Sequence, residues 1–339
     1  MKVVTLVEIM MRLMPEDYLR ISQANTFEVT YAGGEANVAV SLANYGIDAD
    51  FVTKIPNNEV GQTAINNLRK HGVNTSNIVR GGERLGLYYV EKGASQRPSK
   101  VIYDRKYSSF AMSHNEEYDW NKIFRGCKWF HFTGITPALG DNVAELTLEA
   151  LKVCKEKGIT VSCDLNYRNK LWSKDKAREV MTTLMPYVDV LIANEEDAYD
   201  VFGIKPSNND VTKGQLNKEG YVDVAKQLVN RFNFKYVAIT LRTSISANDN
   251  NWAGMLYTKG KSYLSKEYKI HIVDRVGGGD SFGGGLIYSL IKKYKPQQAI
   301  EFAVAASCLK HSIQGDYNRV SVAEVEALAG GNGSGRVQR

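Results

Sequence analysis

The stretch "DRVGGGDSFGGG", residues 274–285, sets an acid, Asp280, inside a run of glycines just ahead of the apolar "LIYSLI". Free backbone N–H groups and the positive end of a helix make such a turn an anion site. A carboxylate in an anion site needs a reason. Helix capping is one, because an acid at a helix start accepts orphan N–H groups and suits the dipole. Chemistry is the other: moving a phosphoryl group to an alcohol needs donors for the transferring phosphate and a base for the hydroxyl proton. On that reading Asp280 faces the alcohol, while the amides of Gly277, Gly278 and Gly279 face the phosphate. The loop fits neither a G-x-G-x-x-G register nor a Walker loop with its Lys. Three further glycines, Gly283 to Gly285, each cost about 1 kcal/mol against alanine in a helix, so close approach of a ligand or strand is expected there.

These residues need a scaffold. The chain has 339 residues, 43% of them hydrophobic, enough for a large core. From about residue 120 onward, strand-like runs ("KWFHFTGI", "ITVSCDLN", "DVLIAN", "KYVAITLR") alternate with helix-like ones ("NVAELTLEALKVCKEKG", "KAREVMTTLMPYV", "YVDVAKQLVNRF"). Two long helical patterns near 280–294 and 297–311 close the chain. That order predicts an α/β fold with a doubly wound, mostly parallel sheet flanked by helices. Earlier, "TFEVTYAG", "RLGLYYVEKG" and "SKVIYDRKYS" read as strands joined by turns. They predict a small β-rich lid, formed by about 9–32 and 84–113, over the C-terminal edge of the main sheet. A single domain covers 1–339, with 330–339 as a flexible tail.

Composition narrows the classes. The N-terminal "MKVVTLVEIMMRLMPEDYLR" is interrupted by Glu8 and Arg12, lacks a small-residue cleavage site and reads as a first strand. No run approaches the ~20 apolar residues of a membrane span, so no membrane partner is expected. Cys127, Cys154, Cys163 and Cys308 form no C-x-x-C pair or zinc spacing, which fits a reducing, cytoplasmic setting. The formal net charge of +6 is spread among interleaved acids, without the basic block of a nucleic-acid binder. A positive field of that kind favours anionic small substrates. The five histidines show no metal or hydrolase spacing, and Ser281 lies outside any nucleophile elbow.

"DRVGGGDSF" resembles the D-T-x-G-A-G-D-x-F signature of the PfkB, or ribokinase, family of carbohydrate kinases, with Arg275 in place of Thr and Gly278 in place of Ala. "AGGEANVAVSLANYG" resembles the family's G-G-x-x-x-N-x-A helix start. The resemblance covers most of the chain and implies a ribokinase-like fold using ATP and Mg²⁺. It assigns the catalytic base to Asp280 and sugar contacts to Gly33, Gly34 and Asn37. "IANEEDAYDVFG" matches the family's N-x-x-E, which positions Mg²⁺ and ATP phosphates through water. Asn194 fits it, and Asp197 stands where Glu is usual, with Glu195 and Glu196 beside it. Without the family, Asn194 is an N-cap with an acidic first turn. Thr240 is retained beside the nucleotide, but the glycine turn T-x-G-x-x-G is missing, and a longer loop is expected after "VAITL". Asp274 could form the monovalent-cation (K⁺) site of some relatives, and a turn-capping acid is the alternative.

Substrate choice is expected in the lid and in the loops after the strands. Tyr103 and Arg105 share a strand face by spacing, and Arg168 ends another strand. Two arginines in one pocket match a carboxylate in bidentate geometry; surface arginines in unrelated places are the alternative. "YYVEKG", "VIYDRKYSS", "DLNYR" and "SCLKHSIQGDYN" resemble segments of the 2-keto-3-deoxygluconate kinases in that family. The resemblance implies that Tyr89, Tyr103, Arg105 and Arg168 bind a small-molecule sugar acid, phosphorylated on its terminal hydroxyl, and that the protein is a homo-oligomer. A fructokinase or ribokinase-like enzyme, or a non-catalytic regulator of the same fold, remains open.

Overall fold

A strand covered on both faces is rich in apolar side chains, as KVVTL and VLIA are, while TVSCD buries a small polar residue, Ser162, between Val161 and Cys163. In the computed structural model, which describes residues 1–194, 196–207, 218–333 and 335, these runs become β1 (Lys2–Leu6), β10 (Thr160–Asp164) and β11 (Val190–Ala193). β4 (Asp48–Val52), β9 (Cys127–Thr133) and β12 (Tyr236–Ser244) run parallel to them. β13 (Asp249–Thr258), β14 (Lys261–Leu264) and β15 (Tyr268–His271) add an antiparallel edge. The sheet order is β14-β13-β12-β11-β10-β9-β1-β4, with β15 also on β13.

Successive residues face opposite layers. Val3, Val190 and Ile192 enter a core with α1 (Gly34–Asn44), α2 (Glu59–Lys70), α8 (Gly278–Ile291), α9 (Pro296–His311) and α10 (Val322–Ala329). Val4, Leu191 and Ala193 enter a second core with α3 (Trp120–Ile123), α4 (Asp141–Glu156), α5 (Lys174–Leu184), α6 (Asp197–Phe202) and α7 (Lys218–Phe232). The doubly wound α/β architecture is therefore the one the alternation predicted. Strand order reverses between β1 and β9, and open α/β sheets collect ligands at the C-terminal ends of strands beside such a switch.

A separate four-stranded sheet, ordered β3-β2-β7-β8, comprises β2 (Met10–Met14), β3 (Glu28–Ala32), β7 (Gly86–Glu91) and β8 (Lys100–Asp104). β5 (Lys54–Ile55) and β6 (Val79–Arg80) form a short parallel pair. The N-terminal run, read as one strand, is thus two strands in different sheets: β1 ends where its pairing with β4 stops at Leu6–Val52, and β2 begins at Met10. The long loop expected after "VAITL" is instead a β-hairpin. β12 continues to Ser244 and pairs with β13 through Arg242–Trp252 and Ser244–Asn250. Ser246 Oγ accepts the N–H groups of Asn248 and Asp249 and closes the turn. The tail at 330–339 lies partly outside the described residues. Among the described residues, no helix is long and apolar enough to cross a membrane.

Gly284 and Gly285 of α8 are bare for packing, not for a ligand. A Cβ on Gly284 would lie 2.7 Å from Ser41 Cβ of α1, and one on Gly285 would lie 3.1 Å from Ala303 Cα of α9. α8 is thereby pressed between two helices, which fixes where its N-terminus points.

The small sheet is tied to that N-terminus by buried charges. Arg12 of β2, 1% exposed, donates to Asp274 Oδ2 at 2.7 Å and also bonds Asp316. Tyr88 of β7 donates its hydroxyl to Asp316 Oδ2 at 2.7 Å, and Lys310 Nζ donates to the Asp274 carbonyl at 3.1 Å. Removing one member of such a cluster strands the others without counter-charge. Arg12→Met should therefore lower stability by about 3–5 kcal/mol in urea unfolding, with much of the loss recovered when Asp274→Asn and Asp316→Asn are added. A loss below about 1 kcal/mol would show the cluster to be solvated.

Candidate active site

The strand ends, the small sheet and the start of α8 enclose a cavity of about 420 Å³, a usual size for a small-molecule site. Gly33, Gly34, Asn37, Tyr103, Arg105, Arg168, Asn194, Asp197, Thr240, Gly277, Gly278, Gly279 and Asp280, all singled out in the sequence, line it together.

Gly277 takes the left-handed conformation, φ +83°, that lets the chain turn into α8. A Cβ there would lie 2.0 Å from the Asp316 carbonyl oxygen, and one on Gly278 would strike the His311 ring at 2.3 Å. A Cβ on Gly279 would meet nothing within 4 Å, so this residue faces the open cavity. The N–H of Gly278 makes a long 3.4 Å bond to the Arg275 carbonyl, whereas those of Gly277 and Gly279 make none to another described residue. These are the orphan donors of a helix start, aimed where an anion would sit.

Asp280 does not cap its helix. Its Oδ2 accepts a 2.7 Å hydrogen bond from Asn37 Nδ2 of α1, and no amide of α8 reaches it. Gly34 leaves room beside Oδ1, since a Cβ there would stand 3.6 Å away. Burial pushes the Asp280 carboxyl up to about 6; the Asn37 bond opposes this, Asp316 adds to it, and Arg168 and Lys310 pull it down. A carboxylate in that range is ionised at neutral pH yet able to hold a proton briefly, as a general base must.

More acids crowd the same wall. Burial, then Asp197 and Asp280, raise the Asp164 carboxyl well above the usual range. Asp197 is raised by burial against two backbone donors: the N–H groups of Asn194 (3.0 Å, to Oδ2) and Tyr167 (3.2 Å, to Oδ1). Asn194 Oδ1 accepts from the N–H groups of Glu196 and Asp197, so the pair is a reciprocal cap at the end of β11. Glu195 lies outside the described residues. Among the described residues no group of three or more His, Cys, Asp or Glu side chains could hold a metal ion unaided. The wall fits a hydrated Mg²⁺ carried by nucleotide phosphates, because a cation that keeps several waters needs only one or two carboxylates nearby. Asp164, at the end of β10 and without a side-chain hydrogen bond to a described residue, is the better placed of the two.

Asp274 does not fit a monovalent-cation site. Its Oδ1 accepts from the Val276 N–H at 3.1 Å, its Oδ2 takes Arg12 and the Gly315 N–H, and Lys310 holds its carbonyl. It is the turn-capping acid of the alternative reading, with two tethered cations beside it.

On the opposite wall, Tyr103 stands across from Tyr88 in the β7–β8 register, with ring centroids 6.1 Å apart. Arg105, 9% exposed, lies 5.6 Å from the Tyr103 ring centroid. Its Nε donates to Glu8 Oε2 at 2.8 Å, and Nη2 lies 2.5 Å from the same oxygen. Arg168 is exposed at the rim and donates to the Tyr167 carbonyl. Tyr89 departs from expectation. Strand alternation turns it to the outer face of the small sheet, where it packs edge-on against Phe27, and Tyr88 occupies the cavity instead.

Reading the sequence missed Glu8, Tyr88, Asp164, Arg242, Arg275, His311 and Asp316, all of which line the cavity. Asp164 carried a signal, standing first in the D-x-N-x-R element. Tyr88, Arg275, His311 and Asp316 lie inside the quoted segments without being singled out there as site residues, and Glu8 and Arg242 carry no local signal at all. His311 is held neutral, its pKa lowered to about 4 by burial, with Nδ1 on the Ser307 carbonyl.

Free helix-start amides, a buried carboxylate beside them and a mixed arginine and carboxylate wall fit a phosphotransferase-type site. Comparison with known proteins agrees. A family model described as pfkB family carbohydrate kinase matches residues 1–321, and the chain belongs to that family of kinases. It is 54% identical to a crystal structure of 2-dehydro-3-deoxygluconokinase from Thermotoga maritima, with a TM-score of 0.94 over 98% of each chain. It is 32% identical to the 2-dehydro-3-deoxygalactonokinase of Haloferax volcanii over 98% of each. It is 27% identical to the 2-dehydro-3-deoxygluconokinase of Bacillus subtilis over 95% of this chain and 93% of the relative.

Glu35, next to Gly34 and fully buried, offers a test of the electrostatics of this wall. Burial raises its carboxyl to about 8, against the Thr133 N–H at 2.6 Å and the Thr136 hydroxyl at 3.0 Å. Its folded value exceeds the unfolded one of about 4.3, so its contribution is full below that pH and lost as pH rises through about 8. The melting temperature of Glu35→Gln relative to wild type should therefore rise between pH 5 and 8 and then level off. Parallel melting curves across that range would mean an ionised Glu35.

Proposed function

We propose that this chain is an ATP-dependent kinase that phosphorylates the terminal C6 hydroxyl of 2-keto-3-deoxy-D-gluconate, working in the cytoplasm. The observation that carries the reading is the position of Asp280. It is held by Asn37 between the free amides at the start of α8 and the wall bearing Arg105 and Arg168.

The C6 oxygen attacks the γ-phosphorus, and the bond from that phosphorus to the bridging oxygen breaks. ADP carries away the bond's electron pair, and the hydroxyl proton passes to Asp280, which later returns it to solvent. The amides of Gly277 and Gly279 receive the charge that develops on the transferring group. Asp164 and Asp197 would hold Mg²⁺ through water, which would supply further charge neutralisation. Asn194 and Thr240 border the nucleotide, while Gly33, Gly34 and Asn37 border the sugar.

Arg105 and Arg168 take the sugar's carboxylate. Glu8 occupies one side of the Arg105 guanidinium and leaves the other for the substrate, so Arg105 is presented in a fixed orientation. The small sheet acts as a lid that excludes water once the sugar acid is bound. A second reading follows from the Haloferax relative: the gluconate and galactonate forms differ only at C4, and a carboxylate clamp accepts both.

ADP release with MgATP should be strong with 2-keto-3-deoxygluconate and weak with fructose or ribose, and the galactonate epimer gives the C4 preference directly. Asp280→Asn should lose at least 10³-fold in kcat with little change in sugar binding, of the order expected for losing a general base that also orients the nucleophile. Arg105→Ala should raise KM for the sugar acid roughly ten- to a hundredfold while sparing residual turnover of neutral sugars. Preference for a neutral sugar, or equal losses on both substrate types, would remove the clamp; near wild-type turnover in Asp280→Asn would remove the base.

A further inference from the structure

Two cavity arginines enter none of these steps. Arg242 stands on β12 two residues beyond Thr240, so both side chains leave the strand on one face and both line the cavity. Arg275 lies two residues before Gly277, in the turn that leads to the free amides. Neither side chain bonds an acid among the described residues. Arg275 Nη2 donates to the Ala247 carbonyl at 3.1 Å, and the Arg242 side chain has no hydrogen bond or ion pair with another described residue. Burial, and then the charge of Arg242, hold the Arg275 guanidinium below its ordinary range, which places the two cations close enough to repel. By contrast, Arg12 and Arg105 each bond a carboxylate. Two uncompensated guanidinium groups beside a cavity are the arrangement that a polyanion completes.

Distance says which polyanion. The sugar's carboxylate belongs at the β1 end of the sheet, with Arg105 and Glu8. β12 is four strands away from β1, so at ~4.8 Å per strand the two ends are ~19 Å apart. Arg168, just past the end of β10, stands between the two ends, so an arginine on β12 lies on the side of the sugar-acid clamp away from Arg105. That arginine stands beside Thr240, with Arg275 on the approach to Gly277 and Gly279.

We propose that Arg242 and Arg275 form a clamp for the non-transferred phosphates of the nucleotide. Two guanidinium groups on the β12–β13 hairpin and the preceding turn of α8 thereby take over what the backbone of a glycine turn would supply. The clamp rests on the kinase reading for the identity of its ligand. Because ADP retains both of these phosphates, the clamp holds product as well as substrate, whereas AMP, with one phosphate, engages little of it.

The test is calorimetric titration of the full chain with MgADP and with AMP, for wild type, Arg242→Met, which keeps the apolar stem, and Arg242→Lys. Melting temperatures confirm the fold of each variant. Arg242→Met should weaken MgADP roughly ten- to a hundredfold, the scale of one lost charge-assisted contact, with AMP changed less than about twofold. Arg242→Lys should restore part of the loss. In steady state, KM for ATP should rise and KM for the sugar acid stay unchanged. Equal weakening of MgADP and AMP, an unchanged MgADP affinity, or a raised sugar-acid KM instead would overturn the clamp, as would a wild type that binds no MgADP. If wild type binds MgADP through Arg242 yet phosphorylates no sugar acid, the clamp stands and the substrate assignment falls.

Discussion

A carboxylate that must stay ionised while packed among other carboxylates is the constraint on which this site depends. Asp280 is pushed up to about 6 by burial, and Asp164 and Asp197 on the same wall are raised as well. Ionising Asp280 at neutral pH therefore costs stability. Its raised folded value means the protonated form stabilises the fold below about pH 4, and that contribution is lost as pH rises through about 6. What keeps the anion in place is local: one amide from Asn37, the helix-start dipole and the nearby charges of Arg168 and Lys310. On the proposed reading, a proton arriving from an alcohol would release this strain.

The scaffold holds that carboxylate still from two directions. Behind it, Gly284 and Gly285 let α1 and α9 close onto α8, so the helix start cannot tilt without opening two helix contacts. In front, Arg12 bridges Asp274, at the turn into α8, and Asp316, which abuts Gly277. Arg12 and Tyr88 belong to the small sheet, so the element that would cover the sugar is bonded to the loop that would hold the phosphate. A movement of one is felt by the other through buried charges that cannot be left unpaired.

Much of this was legible because its signal is local. The glycine turn with its acid, the helix start at Gly33 and Gly34, and the alternation of strands and helices each occupy a short window of sequence. What stayed hidden needed distant partners. Nothing near Glu8 announces Arg105, and nothing near Arg12 announces Asp274 or Asp316, which lie 262 and 304 residues away. The choice between Tyr88 and Tyr89 turns on strand register, where a shift of one residue reverses every side chain. The missing glycine turn after "VAITL" suggests a longer loop, yet the Ser246 and Asp249 side chains close a tight turn and the strands run on as a β12–β13 hairpin.

The pH dependence of kcat/KM for the sugar acid, at saturating MgATP, tests the role of Asp280 most directly. The account expects activity to fall tenfold per pH unit below about 6 and to be level above it, with the limb moved or lost in Asp280→Glu. A profile that is flat from pH 5 to 8, or a limb unchanged by that substitution, would contradict Asp280 as the base.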